Sequence, residues 1–148
     1  MFKKAMTTSD DYAVLILRLT LGVVFFAHGA QKMLGWFGGY GFHGTMGFFT
    51  QAMHIPAAFA FLAIAAEFFG ALGLITGLLG RVAAFGIFCT MAVAVAMVHG
   101  HVGFFMNWNG VMPPAEGYEY HLLAMAMALA VMIKGSGALS LDRMITKG

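Results

Sequence analysis

Hydrophobic and polar positions along this chain segregate on the scale of whole helices. Four apolar runs, at 12–34, 56–79, 82–98 and 118–133, are separated by stretches rich in glycine, aromatic or charged residues. A helix that crosses a bilayer needs about 20 such residues. The pattern therefore predicts an all-α, integral membrane four-helix bundle with antiparallel helices, one domain over 1–148. Between the first two runs, Gly35, Gly38, Gly39, Gly41, Gly44 and Gly47 alternate with Trp36, Phe37, Tyr40 and Phe42. That many glycines destabilise a spanning helix, and Trp and Tyr favour the headgroup level. Within this segment, 45–53 places Met46, Phe49 and Met53 on one face, which predicts a short interfacial helix between spans one and two.

The polar breaks define the element ends. Pro56 suits the first turn of span two. Gly80-Arg81 leaves room only for a tight hairpin turn into span three. Pro113-Pro114 bars a helix from the 99–117 loop. Gly135 reads as the C-cap of span four, and Ser140-Leu-Asp-Arg as the N-cap and first turn of a small terminal helix. Gly73 and Gly77, with Gly70 one turn earlier, allow span two to pack closely on a neighbour. The neighbour is either another span or a second copy in a homo-oligomer.

Composition agrees with a bilayer environment. The 148 residues are 61% hydrophobic and 9% charged, with mean hydropathy +0.85, against roughly 25% charged residues in soluble domains. Cys89 is the only cysteine, so no intrachain disulfide, CxxC pair or thiolate cluster can form; inside a helix it reads as a small buried apolar residue. The 13 methionines are scattered and read as core filling rather than a copper site. Charge sets the orientation. Lys3, Lys4, Arg18, Arg81, Lys134, Arg143 and Lys147 fall on one side and only Lys32 toward the other. By the positive-inside rule this is a multi-pass protein of the cell (inner) membrane with both termini cytoplasmic. Arg18 is expected to snorkel to the near interface. No basic stripe suits a nucleic acid.

The chemistry lies in polar residues that interrupt the apolar runs. His28, Gln31 and Lys32 lie within about one helical turn near the outer end of span one. Glu67 follows Pro56 by 11 residues, about 16 Å into span two. An acidic residue at that depth costs roughly 2.5–3.5 kcal/mol. It must be protonated, paired with a cation such as Lys32, or hydrogen-bonded to an imidazole such as His28. A structural bond between helices would explain it, but intramembrane ionisable residues mark function by default. His99 and His101 close span three, and Glu119, Tyr120 and His121 open span four on the same side. Imidazoles can ligate haem or a metal. An HxH pair lacking fixed third and fourth ligands does not define a metal site, so no metal ligand is assigned.

The chain closely resembles the DoxX family of small four-helix bacterial and archaeal membrane proteins. The matching pieces are Arg18-Leu-Thr-Leu-Gly, His28-Gly-Ala-Gln-Lys32 with Gly35-Trp-Phe-Gly-Gly, and Ala66-Glu67-Phe-Phe-Gly70 leading to Gly77-Leu-Leu-Gly-Arg81. Gly103-Phe-Phe, Gly117-Tyr-Glu-Tyr120 and Leu139-Ser-Leu-Asp142 complete them. The name-giving members are similar to a membrane subunit of a thiosulfate:quinone oxidoreductase, and others are associated with quinone or catechol detoxification. The resemblance implies a redox-linked membrane protein, a quinone-interacting subunit of an oxidoreductase system. His28, Lys32, Glu67, Glu119 and Tyr120 stand at the family-motif positions. The site expected from this is catalytic Glu67, Glu119 and His28, with His28, Gln31, Lys32, Glu67, Tyr120 and His121 binding the quinone. Phe25, Phe26, Phe68 and Phe69 would wall its slot. No nucleotide motif or cysteine cluster supplies electrons, so they must come from a bound cofactor or from a protein partner in a redox complex, and such a partner is expected. Two alternatives stay open: a non-catalytic membrane anchor or assembly partner of a soluble redox enzyme, and a haem- or metal-binding membrane protein.

Overall fold

A computed structural model describes residues 5–110 and 115–147. Lys3 and Lys4 of the basic count, and Pro113-Pro114 of the loop, lie outside the described residues. Helix α1 runs Tyr12–Leu34, opened by the Asp11 carboxylate, which accepts from Ala13 and Val14 N–H at 3.0 and 3.3 Å. It closes at Gly35, whose φ of 74° lies in the left-handed region that glycine reaches without strain. Helix α2, Gly41–Gly47, continues as a π-helical turn, Phe48–Ala52, and so begins four residues before the expected interfacial helix. Helix α3 spans Ala57–Thr76 with Pro56 as its N-cap, and α4 spans Gly80–Ala94, prolonged by a π-turn, Val95–His99. Helix α5 is Glu119–Lys134, closed by the Gly135 N–H on Val131 O at 2.8 Å. Helix α6, Leu141–Lys147, is capped by Ser140 Oγ, which accepts from Arg143 N–H at 3.3 Å. No strand occurs among the described residues.

Among the described residues, three helical stretches are long and apolar enough to cross a bilayer: Tyr12–Leu34, Ala57–Thr76 and Gly80–His99. The fourth expected span, α5, has 16 residues, about 24 Å of rise against a hydrocarbon core of about 30 Å. Contacts join α1 to α3, α3 to α4, α4 to α5 and α5 back to α1. Leu21, Phe25, Leu74, Ile87, Ala128 and Val131 fill the space between them. Val23, Phe61, Phe85 and Leu123 point outward, an apolar exterior that fits lipid. Met91 joins the core, with Met125, Met127 and Met132 packed against it, while Met97 is exposed and Cys89 only half-buried.

The α3–α4 turn corrects two expectations. It occupies residues 77–79, with Gly77 at φ 68° and Leu79 at φ 51°, and Gly80-Arg81 already belongs to α4. A Cβ on Gly77 would fall 2.4 Å from Ser140 Cβ, so this glycine serves the turn, while Gly70 and Gly73 abut Ala83 of α4. Close packing by these glycines is thus satisfied within the chain.

Arg18 does not snorkel. It is 1% exposed and donates five hydrogen bonds to backbone carbonyls. Two are the late α3 carbonyls of Leu74 and Ile75, at 2.7 and 2.8 Å; the others are Ser136, Ala138 and Leu139. The last carbonyls of a helix lack intrahelical donors, and a guanidinium has five N–H groups to offer. Asp142 mirrors this at the start of α4, accepting from Leu79 and Gly80 N–H at 2.7 and 3.1 Å. A cation thus sits on the negative end of α3 and an anion on the positive end of α4.

Candidate functional site

Gly29 determines how the site is assembled. A Cβ there would lie 2.6 Å from Phe68 Cα and 2.8 Å from the Glu67 carbonyl carbon, so only glycine lets α1 lie directly on α3 at this level. The close approach lets Lys32 reach across to Glu67, Nζ to Oε2 at 2.5 Å, with 26% and 5% of the two side chains exposed. Of the three ways to carry a carboxyl in this apolar helix, the chain uses the ion pair. Replacing Gly29 with alanine should force the helices apart and cost about 1–3 kcal/mol, the usual penalty of overpacking. A fall in unfolding midpoint in detergent would show it; an unchanged midpoint would mean the interface yields freely.

The glycine-rich segment folds back onto the end of α1. A Cβ on Gly39 would fall 2.2 Å from the Gln31 carbonyl oxygen, and Gln31 Nε2 donates to Phe37 O at 3.3 Å. Beneath the fold lies a cavity of about 250 Å³ lined by Gln31, Lys32, Tyr40, Thr45, Phe48 and Phe49. Lys32 therefore faces both this cavity and Glu67.

Tyr120 of α5 approaches the same region from a third helix. Its ring stacks on Phe25 with centroids 6.5 Å apart and stands 6.4 Å from His28. Its hydroxyl is buried and has no hydrogen-bond partner. His28 itself is exposed at the side of α1; Lys32 and Glu67 both act on it electrostatically, and Glu67 also acts on Tyr120. His28, Lys32, Glu67 and Tyr120 thus form one neighbourhood, with Gln31 on its cavity side.

Other residues named from the sequence engage further partners, and His121 also lies edge-on to Tyr120 with ring centroids 5.6 Å apart. Glu119 Oε1 accepts from Met106 N–H and Trp108 Nε1–H, both at 2.9 Å, and so ties the loop between α4 and α5 to the head of α5. His121 is buried against His99, ring centroids 4.1 Å apart, with its Nδ1 unpartnered. His99 Nδ1 meets Glu116 O at 2.7 Å. No group of three or more His, Cys, Asp or Glu suited to a metal occurs among the described residues. Phe26 and Phe68 pack at 5.9 Å and Phe25 belongs to the core, while Tyr40, Phe48 and Phe49 supply the aromatic cavity wall. Those three, and Gly29, are what sequence reasoning missed. Gly29 was visible as a glycine beside His28 in the stretch His28–Lys32; the cavity wall depends on a chain reversal with no local signature.

The DoxX family model matches residues 13–100, which include His28, Lys32 and Glu67. This chain belongs to the DoxX family. Over 143 residues, 97% of this chain and 94% of the relative, it is 30% identical to a Bacillus subtilis (strain 168) protein named "Putative oxidoreductase CatD". No solved structure matches significantly. Tyr120 and His121 lie beyond the segment the DoxX model covers, within the stretch aligned with the B. subtilis relative.

Proposed function

We propose that this DoxX-family protein is a redox-linked membrane protein that binds a quinone beside the Lys32–Glu67 pair, as a subunit of an oxidoreductase system. One observation carries the reading: a buried tyrosine hydroxyl without an acceptor, in electrostatic reach of a buried ion pair. Buried polar groups almost always have partners, so an orphan hydroxyl marks a place where an acceptor belongs. A quinone carbonyl is such an acceptor, and when bound a quinone supplies two-electron chemistry coupled to protons. Tyr120 O–H, Lys32 Nζ and His28 are the donors available to its oxygens. Glu67 holds Lys32 in place. The cavity on the Gln31 side of Lys32, just below the roughly 300–1,000 Å³ range of ligand pockets, suits a ring rather than a whole lipid tail. The relative's name as an oxidoreductase supports the same class of chemistry.

In this reading α5 completes an antiparallel four-helix bundle as a short fourth crossing. Both termini are cytoplasmic, the site lies in the outer half of the inner membrane, and electrons arrive from a protein partner. The reading is tested by extracting quinone from protein purified in mild detergent and titrating a soluble quinone into wild type and Tyr120→Phe. Removing an unpaired buried hydroxyl should leave stability equal or slightly higher, while the lost donor weakens binding about fivefold, one hydrogen bond's worth. No co-purified quinone and equal affinity in both proteins would overturn it. A second reading, an anchor for a soluble redox enzyme, is favoured by the exposure of Phe37, Tyr40, Phe105 and Trp108 on the outer segments. A partner retained on pull-down by wild type and Tyr120→Phe alike, with no quinone bound, would select it.

A further inference from the structure

Away from this site, the short helix α6 carries a combination that its packing does not explain. One side is buried: Asp142 bonds the start of α4, and the Ser140 hydroxyl accepts and donates within the turn. The other side exposes Leu139 at 71%, Met144 at 72% and Ile145 at 50%. Leu139 is held at φ 48°, a left-handed conformation unfavourable for a branched side chain. Leu139 and Met144 border a shallow cavity of about 230 Å³ whose other walls are Ser140, Arg143 and Lys147. An apolar floor with a cationic rim has the shape of a binding site for one acyl chain and its anionic headgroup.

Charge and position favour that occupant. Arg143 pairs with Asp10 through its two terminal guanidinium nitrogens, yet its Nε–H is buried without an acceptor. Lys147 enters no ion pair among the described residues, and Lys134 stands 3.9 Å from Asp11 at the end of α5. Asp142, the remaining acid here, is buried on the far side. Since α1, α3 and α4 are apolar enough to cross a bilayer, their shared end, and α6 with it, lies where hydrocarbon meets headgroups. Apolar side chains exposed on α6 are covered there by lipid, while the basic side chains reach the phosphates.

We propose that the α6 cavity binds an anionic phospholipid, its phosphate on Lys147 and Arg143 and its chain along Leu139 and Met144. A helix end fixed by buried bonds and furnished with this surface is a specific lipid site rather than a general membrane contact. The test is native mass spectrometry of the full chain in detergent, titrated with short-chain phosphatidylglycerol, short-chain phosphatidylcholine and inorganic phosphate. One phosphatidylglycerol should bind saturably, and phosphatidylcholine at least about fivefold more weakly, the factor one cation contributes at a membrane surface. Lys147→Gln should lose about the same factor without altering the unfolding midpoint, since its side chain enters no ion pair among the described residues. Met144→Ser should weaken both lipids equally. Equal binding of the two lipids, an unaffected Lys147→Gln, or displacement by inorganic phosphate at the same concentration would each overturn the proposal.

Discussion

Replacing Arg18 with alanine should destabilise the protein by about 4 kcal/mol or more, the scale seen when one side of a buried charged network is removed. Five carbonyls lose their donors at once: two at the end of α3 and three in the 136–139 turn. No water reaches that position to replace them, because Arg18 is 1% exposed. Lysine should rescue poorly, since an ammonium offers three donors on a point charge where the site presents five acceptors around a planar fork. The measurement is thermal unfolding in detergent followed by helical signal. An Arg18→Ala midpoint within a degree or two of wild type would show that the clamp is dispensable.

The Lys32–Glu67 pair should give the second large effect, with a different signature. Glu67→Ala leaves an ammonium facing apolar helices and should cost about 3 kcal/mol, toward the low end for broken buried pairs because Lys32 keeps 26% of its side chain exposed. The double replacement Lys32→Met with Glu67→Leu removes both charges and should recover most of that loss, because apolar pairs of similar volume often replace buried ion pairs at little cost. Quinone binding should not recover with it. Stability and ligand affinity measured on the two single variants and the double therefore separate packing from chemistry. Should the double variant bind quinone as wild type does, the pair serves the fold alone.

Much of this could be read from the residues in order, and the rest fails for identifiable reasons. Apolar runs located α1, α3 and α4 to within a few residues, because length and hydropathy decide membrane helices with little help from context. Lys32 could be named as a partner for Glu67 because an acid inside an apolar helix must be neutralised, paired or hydrogen-bonded. Arg18 was misread because six residues from a helix start suits snorkelling and burial equally. What decides between them are carbonyls 118 to 121 residues further on. The turn was placed late because Leu79 adopts a positive φ that a leucine does not advertise. Asp142 looks like a first-turn acid of α6, yet its oxygens cap α4, a choice set by tertiary position. Tyr120 was identified as a site residue by family motif alone; its lack of a partner needs all three helices in place.

The reach of Arg18 has a consequence for how the protein is made. Three of the five carbonyls that satisfy Arg18 are synthesised after every other helix but α6, so a nascent chain carries a partly satisfied guanidinium until the 136–139 turn leaves the ribosome. Until then α3 offers this guanidinium only the Leu74 and Ile75 carbonyls. Maturation is therefore completed from the carboxyl end, and a chain that stops short of residue 136 should be recognised as unfinished by membrane proteases even though every long apolar helix is present.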